Sequence, residues 1–298
     1  MELISKQGTP DLALVYVARF RSQADLLAEF VDARDPDLSP DAKWVIIVST
    51  QFGCPAACPM CDAGGDYKGN LTTEEIFSQI DYIVKSHPRE RLLTSKFKIQ
   101  FARMGEPAFN KAVLDVLRDL PKRYDAPGLI PCIATIAPLI AKEWFDELLS
   151  IRGSVYKGRA FQLQLSINST DDKIRDILMP PPKISIEELG LYANNFSILG
   201  PRKVSLNFAL AEGVQIDPMI ISRNFDPKSV CVKITPLNPT IRSVEMGLKT
   251  ALPPDAPAKA ENLCNEFKKL GFDVILSIGD VRENTIGSNC GMAVRKLL

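Results

Sequence analysis

The chain has 298 residues, 46% of them hydrophobic, and 36 Lys and Arg balance 36 Asp and Glu to a formal net charge of zero. That length suits one large domain, or one domain with a small extension, and it builds a core without disulfide staples. The charge balance weighs against a protein that grips nucleic acid by overall charge, and no apolar run approaches a membrane span.

Taken in chain order, "MELISKQGTPDLALVYV" lacks a basic region followed by an apolar stretch and a cleavage site, so no signal peptide is expected. The seven cysteines are odd in number and not spaced as a disulfide framework, which favours the reduced cytoplasm. "LALVYVARF" and "DLLAEFVDAR" read as a short N-terminal β-hairpin over 1–43, and "DPDLSPD" is a turn-rich link. "WVIIVST" is a β-branched strand that delivers the chain to Cys54. "TTEEIFSQIDYIVKSH" opens with a capping box, Thr72 and Glu75, and continues with helical apolar spacing. The basic run "KSHPRERLLTSKFK" reads as a solvated helix-to-strand loop. Strands follow at "KFKIQFA", "LIPCIATIA", "FQLQLSIN", "KVSLNFAL", "SVCVKITPL" and "FDVILSIG", with helices between them such as "KAVLDVLRDL", "LIAKEWFDELLS" and "SIEELGLYANNFSIL". Such alternation predicts an α/β fold over 44–298, a parallel sheet curled into a partial (β/α)6-type TIM barrel. Cys54, Glu106, Ser166 and Asn238 all follow strand ends, where the loops of such a barrel carry chemistry.

Within "STQFGCPAACPMCDAGG", Cys54, Cys58 and Cys61 form CxxxCxxC. A closed structural zinc site wants four ligands, and the other cysteines (Cys132, Cys231, Cys264, Cys290) and the single His87 lie far along the chain. A redox CxxC leaves Cys54 unexplained. Unliganded core cysteines are the bland alternative. Three thiolates suit a [4Fe-4S] cluster whose fourth iron stays open for S-adenosylmethionine (SAM). One electron from such a cluster cleaves SAM to methionine and a 5′-deoxyadenosyl radical, which takes hydrogen from an inert C–H bond. An electron donor such as flavodoxin or ferredoxin is then a required partner.

The motifs resemble, in one order from about Trp44 onward, the RlmN/Cfr group of radical SAM enzymes, which methylate an adenosine ring carbon of large-subunit ribosomal RNA. "STQFGCPAACPMC", "GNLTTEEI", "MGEPAFN", "SINSTDDKIRD", "PLNP" and "NTIGSNCGMA" carry the resemblance. It implies that Gly105 and Glu106 meet the SAM amino group, that Ser166 and Asn238 contact its ribose or methionine part, and that Met60 packs on its adenine. It also implies that Cys290 is first methylated and then supplies the methyl carbon as a radical, because an adenine sp² carbon is a poor nucleophile for polar methyl transfer. Each residue has a plainer reading: a polar turn for "GEP", strand-end hydrogen bonding for Ser166, an Asn-Pro turn for Asn238, burial for a lone cysteine. Cys132, Cys231 and Cys264 lie in strand or helix patterns and are assigned burial, whereas Cys290 sits in a Gly/Ser/Asn-rich loop.

The chain departs from the family pattern at several points. The family carries a product-releasing cysteine seven residues before the first cluster cysteine, and Ile47 stands there. Cys132 and Cys231 are the thiols that could replace it from a neighbouring strand. Asn168 replaces the family histidine, and Lys233 an asparagine. The forty or so residues before Trp44 are expected not to include the family's helical accessory domain. An adenosine in RNA is the first expected substrate. A nucleotide-like small molecule or a peptide, with a different release step, is the second, and a non-catalytic metal-binding protein is the third.

Overall fold

The computed structural model describes residues 1–34, 38–39, 41–280, 282–287 and 292–297. The chain divides into two compact units: Met1–Ala56 with Asp62–Ala134 and Arg282–Leu298, and Ala57–Cys61 with Thr135–Val281.

In the first unit, strands β1 (Glu2–Thr9), β2 (Ala13–Arg19), β3 (Leu27–Ala33) and β4 (Trp44–Val48) run antiparallel in sequence order. A small antiparallel hairpin follows, β5 (Gln51–Cys54) and β6 (Gly65–Asn70). Helix α1 (Thr73–Lys85), β7 (Phe97–Phe101), helix α2 (Ala112–Arg123) and β8 (Leu129–Thr135) then add β7 and β8 parallel to β4. The expected N-terminal hairpin is thus β2–β3, with β1 as a third strand beyond it.

The period-2 pattern of "FKIQF" turns Phe97, Ile99 and Phe101 into the core and leaves Lys98 and Gln100 on the half-exposed face. Helix α1 packs on β4, and α2 on α1, through Ile76, Ile80, Ile83, Val113 and Leu117. The α1 capping box forms with both bonds: Glu75 N–H donates to Thr72 Oγ1 (3.2 Å) and Thr72 N–H to Glu75 Oε2 (2.8 Å). His87, the lone histidine, contacts Asp32 (2.6 Å), whose other oxygen accepts from Trp44 Nε1 (2.8 Å). Lys85, Arg89 and Lys96 of the basic run are exposed, whereas Lys98 is half-buried on β7 and the half-buried Arg91 lies 5.2 Å over the Trp44 ring.

The second unit holds helix α3 (Lys142–Ser154), β9 (Gln162–Ser166), α4 (Asp172–Leu178), α5 (Ile186–Ser197), β10 (Val204–Leu210), α6 (Pro218–Asn224), β11 (Val230–Pro236), α7 (Ile241–Glu245), α8 (Glu261–Lys269) and β12 (Asp273–Leu276). Its four strands are all parallel, in the order β9-β10-β11-β12. Leu163, Leu165, Leu206, Phe208, Val232 and Ile234 are fully buried and form its core stripe. The chain then returns to the first unit through α9 (Arg282–Ile286) and α10 (Met292–Arg295), and α10 packs on β2 and β3. Among the described residues no helix is long and apolar enough to cross a membrane.

Candidate active site

In the first unit, the strand end that leads to Cys54 is fastened to the "MGEP" turn. Thr50 and Gln51 N–H both donate to Met104 O (2.8 and 3.2 Å), and Glu106 N–H donates to the Gln51 side chain (2.9 Å). Asn110 Nδ2 bridges Thr50 O (2.7 Å) and Leu71 O (2.8 Å), while Asn70 links Gln51 Nε2 to Phe109 O. Ser49 is held by both ends of the Gln79 amide. Gly105 sits at φ +101, and a Cβ there would stand 2.6 Å from Thr50 Oγ1 and 2.7 Å from Gln51 Cβ. Only glycine meets both the left-handed backbone and the close approach. Glu106 is 4% exposed, and its carboxylate accepts from Ala108 N–H (3.1 Å), so it caps the short turn that follows.

Cys54 ends β5, paired with Gly65. Gly53 before it has φ +71, and a Cβ there would lie 2.4 Å from Asp66 O. Cys58 and Cys61 belong to the second unit, in a turn closed by Cys61 N–H to Cys58 O (3.2 Å). Thr240 Oγ1 donates to Met60 O (3.1 Å) and Arg242 to Ala57 O (3.1 Å), so the residues just after "PLNP" hold this turn. Asn238 is half-buried, and its carbonyl accepts from Thr240 N–H and Ser243 Oγ.

Ser166 ends β9 in register with Asn207 on β10, and Asn207 is in register with Lys233 on β11. These three half-buried polar side chains share one face, and Lys233 Nζ reaches Gln164 Oε1 at 3.4 Å. Asn207 went unnoticed in the sequence; its signal is a polar residue at an alternate position of "VSLNFAL". Asn168, at φ +59, accepts from Ala209 N–H through Oδ1 (3.1 Å) and pins the exit of β9 to β10.

The remaining cysteines separate by position. Cys132 on β8 is in register with Gln100 on β7, which is in register with Ile47 on β4. Parallel strands in register turn these side chains to one face, so Cys132 stands two strand spacings, about 9–10 Å, from Ile47. Cys231 begins β11 opposite Ser205 and Asp273, at the far end of the strand from Asn238. Burial pushes the Cys231 thiol up, and the Cys264 thiol likewise. Cys290 lies outside the described residues.

Cys54 is buried, and Cys58 and Cys61 are half-buried. Among the described residues, no group of three His, Cys, Asp or Glu side chains is gathered as a metal site. The donor set itself, three cysteine sulfurs within eight residues beside a glycine-supported turn, fits an iron–sulfur cluster better than zinc or calcium.

No family model matches the chain. It is 32% identical over 216 residues to a probable dual-specificity RNA methyltransferase RlmN of Mycolicibacterium gilvum, a match covering 67% of this chain and 56% of that protein. It is 27% identical over 296 residues to a protein of the same description from Frankia alni, covering 94% and 65% respectively. The chain therefore spans about half to two thirds of the length of these curated relatives. Among solved structures, a radical SAM methyltransferase from Sphaerobacter thermophilus superposes with a TM-score of 0.73 at 20% identity, covering 97% of this chain and 80% of that one. The SAM-bound SuiB of Streptococcus suis superposes at 0.53 with 14% identity, over 78% and 50%. The sequence is RlmN/Cfr-like, and its α/β fold, with parallel strands flanked by helices, is that of a radical SAM methyltransferase.

Proposed function

We propose that this RlmN/Cfr-like chain is a radical SAM enzyme that methylates an sp² carbon, with an adenosine in RNA as the substrate. The observation that carries the reading is the fastening of the cluster-loop strand to the "MGEP" turn through Thr50, Gln51 and Asn110. Such a frame holds a cluster-bearing loop and a SAM-binding turn in fixed register. Cys54, Cys58 and Cys61 would hold a [4Fe-4S] cluster, which when bound supplies the electron that cleaves SAM to a 5′-deoxyadenosyl radical.

The chain's own residues do the rest. Gly105 lets the "MGEP" backbone lie close against Thr50 and Gln51, which fixes the turn that meets the amino end of SAM, and the buried Glu106 carboxylate offers that ammonium a charged hydrogen-bond acceptor. Ser166 and Asn238 give neutral hydrogen bonds to its ribose and carboxylate end, and Met60 an apolar surface for adenine. Cys290 carries the methyl group. Ile47 offers no thiol for disulfide release. Cys132 faces the same side of the sheet but two strands away, so release through a disulfide to Cys132 needs a shift of that thiol.

The test is anaerobic reconstitution with iron and sulfide, followed by measurement of 5′-deoxyadenosine and of the Cys290 peptide mass. The reading expects SAM cleavage and one added methyl on Cys290. Cleavage with Cys290 unmodified overturns the methyl-carrier role, and tight zinc binding without cleavage overturns the whole reading. The zero net charge favours a second reading, the same chemistry on a nucleotide-like small molecule or a peptide. Salt-sensitive RNA affinity is expected only of the first.

A further inference from the structure

Glu29 lies in the middle of β3 with a side chain 0% exposed, and it pairs with Arg103 (Nε to Oε1, 2.6 Å), itself 1% exposed. Burying two charges costs several kcal/mol of desolvation, so such a pair persists only with good geometry and its remaining donors and acceptors in use. Two further groups of the pair reach the C-terminal segment. Arg103 Nη2 donates to Gly287 O (2.5 Å), and Glu29 Oε2 accepts from Val294 N–H (2.9 Å). Gly287 precedes Cys290 by three residues, and Val294 follows it by four. Val294 lies in the first turn of α10, where helix amides lack partners of their own, so the Glu29 carboxylate satisfies a donor that the helix cannot. A third tie closes the arrangement. Arg295 pairs with Asp62 (3.5 Å), a fully buried carboxylate that directly follows the cluster cysteine Cys61 in sequence. Arg103 in turn stands two residues before Gly105.

We propose that Glu29 and Arg103 are positioning residues for Cys290: a buried ionic clamp that holds the chain on both sides of that cysteine. The proposal rests on the reading of Cys290 as methyl carrier, and it adds a device built from residues outside every motif that suggested the reading. Neither residue touches substrate or cofactor in this account. They act by fixing the backbone at Gly287 and Val294, three residues before and four residues after Cys290 in sequence.

The test uses the full-length protein and three variants, Glu29→Gln, Arg103→Met and Arg103→Lys. Glu29→Gln keeps size and an acceptor oxygen but removes the charge, Arg103→Met keeps bulk alone, and Arg103→Lys keeps the charge without the planar fork that reaches two partners. Amide exchange is followed by mass in peptides spanning 282–297, with β7 and β8 peptides as the control for folding. The alkylation rate of Cys290 by iodoacetamide is mapped in the same samples. Loss of a charge-assisted hydrogen bond predicts exchange in 282–297 faster by roughly tenfold or more in Arg103→Met, with smaller increases in the other two and a matching rise in Cys290 alkylation. After reconstitution, Cys290 methylation should fall by a similar factor while the SAM dissociation constant stays within about threefold, a split that general destabilisation does not produce. Unchanged exchange in every folded variant overturns the clamp, as does faster exchange with unchanged Cys290 alkylation. If Arg103→Met also loses protection in β7 and β8, the judgement passes to Arg103→Lys and Glu29→Gln. If the unaltered protein never methylates Cys290, the proposed function fails, while exchange and alkylation still decide the clamp.

Discussion

Cys54, Cys58 and Cys61, the proposed cluster ligands, and Gly105 make the sharpest single-residue predictions. Replacing Cys58 with Ala should leave a folded protein that cannot hold a stable cluster. Iron per chain, expected at about four after reconstitution, should fall below about one, and 5′-deoxyadenosine formation should cease. Gly105→Ala combines a left-handed backbone at φ +101 with a contact under 3 Å to Thr50 and Gln51. A cost of about 1–3 kcal/mol is expected, read as a lower denaturation midpoint, together with weaker SAM binding at equilibrium. Cys231 and Cys264 behave otherwise. Burial raises both thiols, so at neutral pH they should react with iodoacetamide more slowly than an exposed cysteine. What a single sequence displays at this scale is the type and spacing of residues. The motifs around Cys54, Gly105 and Ser166 stand out in the sequence because they are local. Glu29 with Arg103 and Asn207 beside Ser166 do not, because each relation joins positions far apart along the chain through strand register or backbone contact.

Helix α1 shows how far local rules reach. Its start was readable from Thr72 and Glu75, and both capping bonds are present. Thr72→Ala should therefore cost about 1 kcal/mol in urea unfolding without altering SAM cleavage. The opposite end of α1 is tied to α2 by Asp81, which accepts from Arg123 (2.6 Å) and from Tyr124 (2.6 Å). Burial raises the Asp81 carboxyl, but the hydrogen bonds from Arg123 and Tyr124 outweigh it and the net shift is downward. A carboxyl lowered on folding stabilises the native state fully above its unfolded value, near 3.9, and loses that contribution as pH falls through the folded value. The stability advantage of the unaltered protein over Asp81→Asn should thus be constant at neutral pH and shrink below about pH 4, as measured by urea midpoints. Other elements escaped the sequence for physical reasons. β1 is an edge strand, paired on one side only and largely exposed, so "ELISKQGT" shows no buried alternation. β5 and β6 contain Gly53, Gly65 and Gly69 at positive φ, and glycine-rich strands carry little propensity of their own. Strands such as β7, β10 and β11 were readable because their apolar residues alternate or run together in a buried core.

Across the whole chain, balanced charge sets the terms for any encounter with RNA. The exposed cations cluster locally, as beside α1, where Lys85, Arg89, Lys122 and Arg123 line a groove of about 550 Å³ together with Asp81 and Asp125. Three of these cations are already engaged, Lys85 and Arg123 with Asp81 and Lys122 with Asp119. RNA affinity measured from low to physiological salt should consequently fall with a shallow slope, about −2 or less steep on a log–log plot, reflecting roughly three phosphate contacts. Removing Lys85 and Arg89 together should flatten it further. The first unit also has a consequence for synthesis. It is assembled from three pieces of chain, and the last of them follows the whole of the second unit in sequence. Glu29 and Arg103 emerge early, yet two of their backbone partners, at Val294 and Gly287, are synthesised 265 and 184 residues later. The nascent chain thus completes the surroundings of the buried Glu29–Arg103 pair only after the second unit has been made, together with the segment that bears Cys290.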